Sequence, residues 1–137
     1  MAKTAKQIQK DIIDLIERSD LAADVSGDVY RNGYRPRDSR LEDIVVIFTT
    51  GLPDEIETGV VTINVYCPDF DPYGNGVLVE DGERTEALEN LSQKWVNGLL
   101  GSGTNYVFKL RQTIYTEAEQ DINQHFVVIK LGYKLHE

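Results

Sequence analysis

Asp69, Asp71, Gly74 and Glu80 fall at the spacing of a calcium loop. Such a loop takes oxygen donors at positions one, three and five, a turn glycine at six and a bidentate glutamate at twelve. Here Tyr73 stands at the fifth position, Pro72 stiffens the fourth, and the residues leading in read as a strand. An acidic crossover from strand to helix accounts for the same letters, so a monomeric ligand- or calcium-binding domain using residues 69–80 is a rival reading. The loop could also lend carboxylates to glycoside chemistry, but that needs one carboxyl raised by an apolar pocket, which a solvated acidic run does not provide. Cys67, the single cysteine, would need a base to act as a nucleophile, and only His125 and His136 are on offer. No Ser–His–Asp set, metal-ligand histidine spacing, phosphate loop or dinucleotide fingerprint is present. The expectation is no enzyme, no resident metal and no cofactor.

A second anomaly is the segment RNGYRPRDSR at residues 31–40, which holds four of seven arginines in a chain of net charge −9. One account is a solvated loop neutralised by Asp28, Asp38, Glu42 and Asp43. The other is a docking loop in which guanidinium forks meet carboxylates and an aromatic ring offers a stacking surface. Arg31, Tyr34, Arg35, Arg37 and Arg40 are then the candidate subunit or partner contacts. The acidic runs at 54–57, 69–89 and 117–121 could receive them from a neighbouring copy. Contact between two unlike patches builds a closed ring when the rotation per subunit closes.

The 137 residues suit one domain spanning 1–137. The acidic balance argues against recognition of nucleic acid, where phosphates would be repelled, and against anionic membrane surfaces. A lone cysteine excludes an intrachain disulfide. No apolar run is long enough to span a bilayer, and no signal-peptide core follows the basic start MAKTAK. A cytoplasmic protein, or one held in a particle assembled there, is expected.

The periodicity predicts a helix over about 4–18, begun by a Thr4–Gln7 capping box. Ala5, Ile8, Ile12, Leu15 and Ile16 form its buried stripe. Residues 21–27 read as a connector with Leu21 and Val25 tucked under a sheet. A short strand, the arginine loop and two β-prone segments at 43–50 and 57–66 follow. A second helix runs from about 83 to 100, capped by Asp81, with Leu88, Leu91, Trp95, Leu99 and Leu100 on its apolar face. Gly101 and Gly103 stop it. Alternation predicts two further strands at 105–116 and 124–135, joined by an acidic tip at 117–123. The order is helix, short strand, two strands, helix, two strands: an α+β fold with a mostly antiparallel sheet and two amphipathic helices packed on it.

That order, with the phrases VSGDVYRNGYRP, EDIVVIF, TGVVTINVYCPD and RTEALENLSQKWVNGLL, resembles the tail-completion or tail-terminator proteins of long-tailed bacteriophages and prophages. The resemblance covers essentially the whole chain as a pattern of elements and contains no diagnostic motif. It implies a homo-oligomeric ring, commonly of six subunits, at the head-proximal end of a tail tube. There the ring ends tube growth and forms the head–tail joining surface, with the tail tube protein and head connector as partners. It implies no enzyme activity and no cofactor, and a life spent in the bacterial host cytoplasm during assembly and then in the virion neck. The family often carries a mobile insertion where this chain has its arginine loop. The long acidic crossover at 68–81 departs from the pattern and keeps open another small phage neck role, head closure or adaptor.

Overall fold

A computed structural model of the chain describes residues 2–99 and 104–136. The first helix, α1 (Ala5–Glu17), starts where Thr4 and Gln7 bond reciprocally: Gln7 N–H donates to Thr4 Oγ1 at 3.3 Å and Thr4 N–H to Gln7 Oε1 at 2.8 Å. Ile8, Ile12 and Ile16 are buried at the spacing of one helical face. Ala5 is exposed, against the expected stripe, and Gln9 is buried instead, its Nε2 donating to the Val46 carbonyl at 3.2 Å. A polar side chain can occupy that place because it satisfies a backbone acceptor.

The expected connector contains a short helix, α2 (Asp20–Asp24). Ser19 turns the chain there: its Oγ donates to the Ile16 carbonyl and accepts from Ala22 N–H. Leu21, almost fully buried, anchors the turn in the core.

The strands are β1 (Val29–Arg31), β2 (Ile44–Leu52), β3 (Glu57–Pro68), β4 (Tyr106–Leu110), β5 (Tyr115–Glu119) and β6 (Gln124–Leu135), with α3 (Gly82–Gly98) between β3 and β4. They form one six-stranded sheet in the order β1-β2-β3-β6-β4, with β5 also paired to β6. Among the described strands only β1–β2 is parallel. The spine is β3 against β6, in register from Glu57↔Leu135 to Pro68↔Gln124. The fold is α+β, as the element order implied.

Among the described residues three strands follow α3, not two. The segment expected as one strand breaks after Leu110 and resumes at Tyr115, because its two halves pair with different parts of β6 in different register: Leu110 opposes Leu131, while Tyr115 opposes Val128. In the break Ile114 turns into the core, and the Arg111 side chain lies across Gly132, where a Cβ would come within 2.8 Å of it. β5 then runs three residues into the expected acidic tip, to Glu119. The tip itself is a single 3₁₀ turn, Gln120–Ile122, closed by Asn123 in the left-handed region at φ 53°.

The two long helices, α1 and α3, lie on one face of the sheet. Alternate residues of β3 and β6, among them Val61, Ile63, Val65, Ile129 and Leu131, join Ile12, Ile16 and Leu88 in a single core. Each such side chain, fully buried, contributes about 1.5–3 kcal/mol. α3 is capped by Asp81, which accepts from Arg84 N–H at 3.2 Å, while Leu91 and Trp95 pack at the core's margin. Leu100, Gly101 and Gly103, expected at that helix's end, lie outside the described residues.

Candidate functional site

The arginine loop joins the edge strand β1 to β2 and folds back over the sheet's helix-free face. Its geometry is set by Arg35, whose side chain is only 10% exposed. Arg35 Nε donates to Asp43 Oδ2 at 2.8 Å, and its Nη2 to Gln124 Oε1 at 2.8 Å and to the Leu41 carbonyl at 3.2 Å. Asp43, fully buried, also accepts from Asp28 N–H and Ser39 Oγ. Gln124 returns a bond from Nε2 to the Ser39 carbonyl. Arg40 ties the far side of the loop to the β5–β6 turn, donating from Nη1 to the Ile122 and Asn123 carbonyls and from Nη2 to that of Asp69. Two of the four arginines are therefore spent holding the loop down. Tyr34 is exposed, Arg37 is exposed and Arg31 half-buried, and neither of these arginines has an ion pair among the described residues. Of the nearby carboxylates expected to neutralise the loop, Glu42 instead meets Arg84 of α3 at 2.6 Å, an attachment that raises the Arg84 pKa.

Under and beside the loop lies the face that no helix among the described residues covers. Val45 and Val128 are buried there outside the helix-side core, flanked by Asn64, Tyr66 and Phe126. The Tyr66 and Phe126 rings sit 5.3 Å apart, and burial, then the Glu119 carboxylate, raises the Tyr66 phenol. Asn64 Oδ1 is buried with no hydrogen-bond partner among the described residues. Ile47 and Val60 continue the face half-buried.

The carboxylates of 69–80 do not converge. Asp69 Oδ1 is 2.7 Å from His125 Nδ1. Asp71 folds onto its own loop, accepting from Asn75 and Gly76 N–H, and those backbone bonds hold its pKa below the usual carboxylate range. Glu80 Oε2 accepts from Thr85 Oγ1 at 2.7 Å. Among the described residues no group of three or more His, Cys, Asp or Glu side chains is placed to share an ion.

Strand pairing does bring together one set that sequence reasoning left apart. Cys67 lies directly opposite His125, and His125 sits between Asp69 and Glu80, whose Oε1 is 3.6 Å from its Nε2. The residue types are those of a thiol nucleophile, base and orienting acid. The electrostatics run the other way: burial first, then Glu42 and Asp81, push the Cys67 thiol up to about 12. At neutral pH it is a protonated, buried filler, the opposite of an activated thiolate. The shared register of β3 and β6 was the only signal that could have disclosed this row, and it is not local.

Two surfaces take a form that the sequence did not disclose: the 69–80 segment, read there as an acidic loop, projects apolar side chains, and a groove opens between the helices. One is the arm formed by 69–80, bridged at Phe70↔Val79 with both backbone bonds at 2.9 Å. The other is a groove of about 440 Å³ where the end of α1 and the start of α2 meet the C-terminal half of α3. No helix among the described residues is long and apolar enough to cross a membrane.

Comparison with known proteins adds no assignment: no family model matches the chain, and no curated protein matches it.

Proposed function

We propose that the chain is a non-catalytic assembly subunit, a tail-terminator-like protein that forms a ring on the head-proximal end of a tail tube, ends tube growth and presents the joining surface for the head connector. The observation that carries this reading is the one-sided sheet. Helices cover one face, while the other, with Tyr66, Phe126, Ile47 and Val60, is roofed only at one end by a loop locked through Arg35. Thr62 and Lys130, opposed across β3 and β6, lie on this same face, so it offers polar and apolar contacts together. A preformed face of that kind needs little ordering to meet another surface, which is the economical way to build a repeated contact. The element order and the resemblance it carries support the same reading. So does the use of each candidate chemical group, Cys67, His125, Asp69, Asp71 and Glu80, in internal contacts.

Within this reading Arg31, Tyr34 and Arg37 meet the partner, while Arg35 and Arg40 keep the loop in place to do so. The protein would assemble in the bacterial cytoplasm and remain in the virion neck.

Sedimentation velocity from micromolar upward, alone and with purified tail tube, tests the reading. A closed oligomer, or capture at one tube end with arrest of elongation, is expected. Arg31→Glu with Arg37→Glu should weaken it while leaving the melting temperature in place. A chain that stays single at every concentration and ignores the tube overturns the proposal. Binding to the connector without arrest of the tube would assign it to head closure instead.

A further inference from the structure

We propose that copies join head to tail by seating the 69–80 arm of one subunit in the α1–α3 groove of the next; this rests on the assembly reading above and names the surfaces that would make it. The arm is an exposed apolar projection. Phe70 is 42%, Tyr73 84% and Val77 57% exposed, a concentration of solvent-facing apolar groups that a soluble surface has no reason to keep. It is also preformed. The Phe70↔Val79 bridge closes its base, Asp71 accepts from Asn75 and Gly76 N–H, and Asn75 Oδ1 accepts from Val77 N–H. Gly74 and Gly76 take the positive φ values, 67° and 83°, that the turn requires. A preformed arm loses little freedom on docking.

The groove is its complement. Its apolar lining is Leu15, Leu21, Leu91 and Trp95, and its rim carries Arg18 and Lys94 against one carboxylate, Asp20. Neither cation has a carboxylate partner among the described residues; Arg18 Nε donates to the Asp14 carbonyl. In a chain of net charge −9, two cations without a carboxylate partner among the described residues, beside an apolar channel, fit an apolar segment that brings carboxylates. The arm, with Asp71 two residues from its Tyr73 tip and Glu80 at its base, is such a segment; each carboxylate keeps acceptor capacity beyond the internal bonds it already makes.

The match is between copies. None of the groove's lining comes from the arm, which links the end of β3 to the start of α3, whereas on that helix the groove begins at Leu91, about 14 Å beyond Gly82. Contact between two unlike patches of one subunit propagates from copy to copy and closes into a ring if the rotation permits.

Two variants and their mixture test this by sedimentation velocity on the full chain. The arm variant carries Tyr73→Ser and Val77→Ser; the groove variant carries Arg18→Glu and Lys94→Glu. All four side chains face solvent, and an unchanged melting temperature verifies folding. Each variant alone should associate about tenfold or more weakly than the natural chain, as expected for loss of an aromatic anchor or its charged rim. Mixed together they retain one intact arm and one intact groove, so they should form a two-copy species and nothing larger. If the natural chain forms a ring and both variants form the same ring, the arm–groove contact is overturned while the assembly reading stands. Single copies in the mixture overturn the contact as well. A natural chain that remains single, alone and with tail tube, overturns both.

Discussion

The guanidinium of Arg35 lies 3.9 Å above the centre of the Tyr66 ring while its Nε bonds the buried Asp43 carboxylate. One loop residue thereby joins the loop, β3 and, through Gln124, β6. Removing a partner from a buried pair strands the other charge, at a cost of about 3–5 kcal/mol. Arg35→Met should therefore be strongly destabilising in urea melts. Arg35→Lys should fall between, because it keeps the charge and loses the planar fork and the stacking. Arg35→Met combined with Asp43→Asn should recover part of the loss, and a purely additive double variant would show that the pair is not coupled.

Gly59 faces Gly51 across β2–β3 and Tyr133 across β3–β6, and the Tyr133 ring occupies the space that side chains would fill. A Cβ at Gly59 would lie 2.3 Å from the Thr50 carbonyl oxygen and 2.6 Å from the Tyr133 ring. Since backbone cannot step aside, Gly59→Ala should lose about 1–3 kcal/mol by overpacking. Gly82→Ala, where nothing lies within 4 Å of the added atom, should be neutral to slightly stabilising. Thermal unfolding of the two variants side by side checks the contrast.

Cys67 should resist alkylation by iodoacetamide in the native protein at neutral pH and react on unfolding. The His125→Asn variant should behave the same, since burial rather than the imidazole sets the thiol's state. The folded pKa, about 12, stands above the ordinary value of 9.0. The stabilisation linked to the neutral thiol is therefore complete below 9 and is lost as pH rises toward 12. Rapid native-state labelling that His125→Asn abolishes would reverse this reading and reopen thiol chemistry.

Asp71 runs with the opposite sign. Its folded pKa is depressed by the N–H groups of Gly76, Asn75 and their neighbours, so the order it gives the arm is present above the ordinary carboxylate value and lost as pH falls through the depressed one. Amide shifts of Asn75 and Gly76 should titrate together below the usual aspartate range. Asp71→Ala should abolish that transition and loosen the arm at neutral pH without altering the core. A transition at the ordinary carboxylate pKa would mean the backbone bonds are not held in solution.

Local signals in the sequence were sufficient for much of this protein. The Thr4–Gln7 box, the Asp81 cap, the Ile8–Ile12–Ile16 stripe and the alternation along β6 each depend on residues within a turn or two of one another, so their letters carry their geometry. The α+β class followed from the order of such elements. Charge and residue types also pointed to the arginine loop as the unusual segment.

Only the folded chain decided what those letters touch. Arg35 reaches Gln124, 89 residues away, and turns from a docking candidate into the pin of its own loop. Cys67 meets His125 because β3 and β6 pair in one particular register, and the break at 111–114 exists because β6 receives two strands offset from each other. The arm and the groove are likewise products of packing, since one is what the crossover exposes and the other what three helices leave unfilled. Cross-strand partners and uncovered surfaces are long-range properties, and a linear pattern of side chains does not encode them one residue at a time.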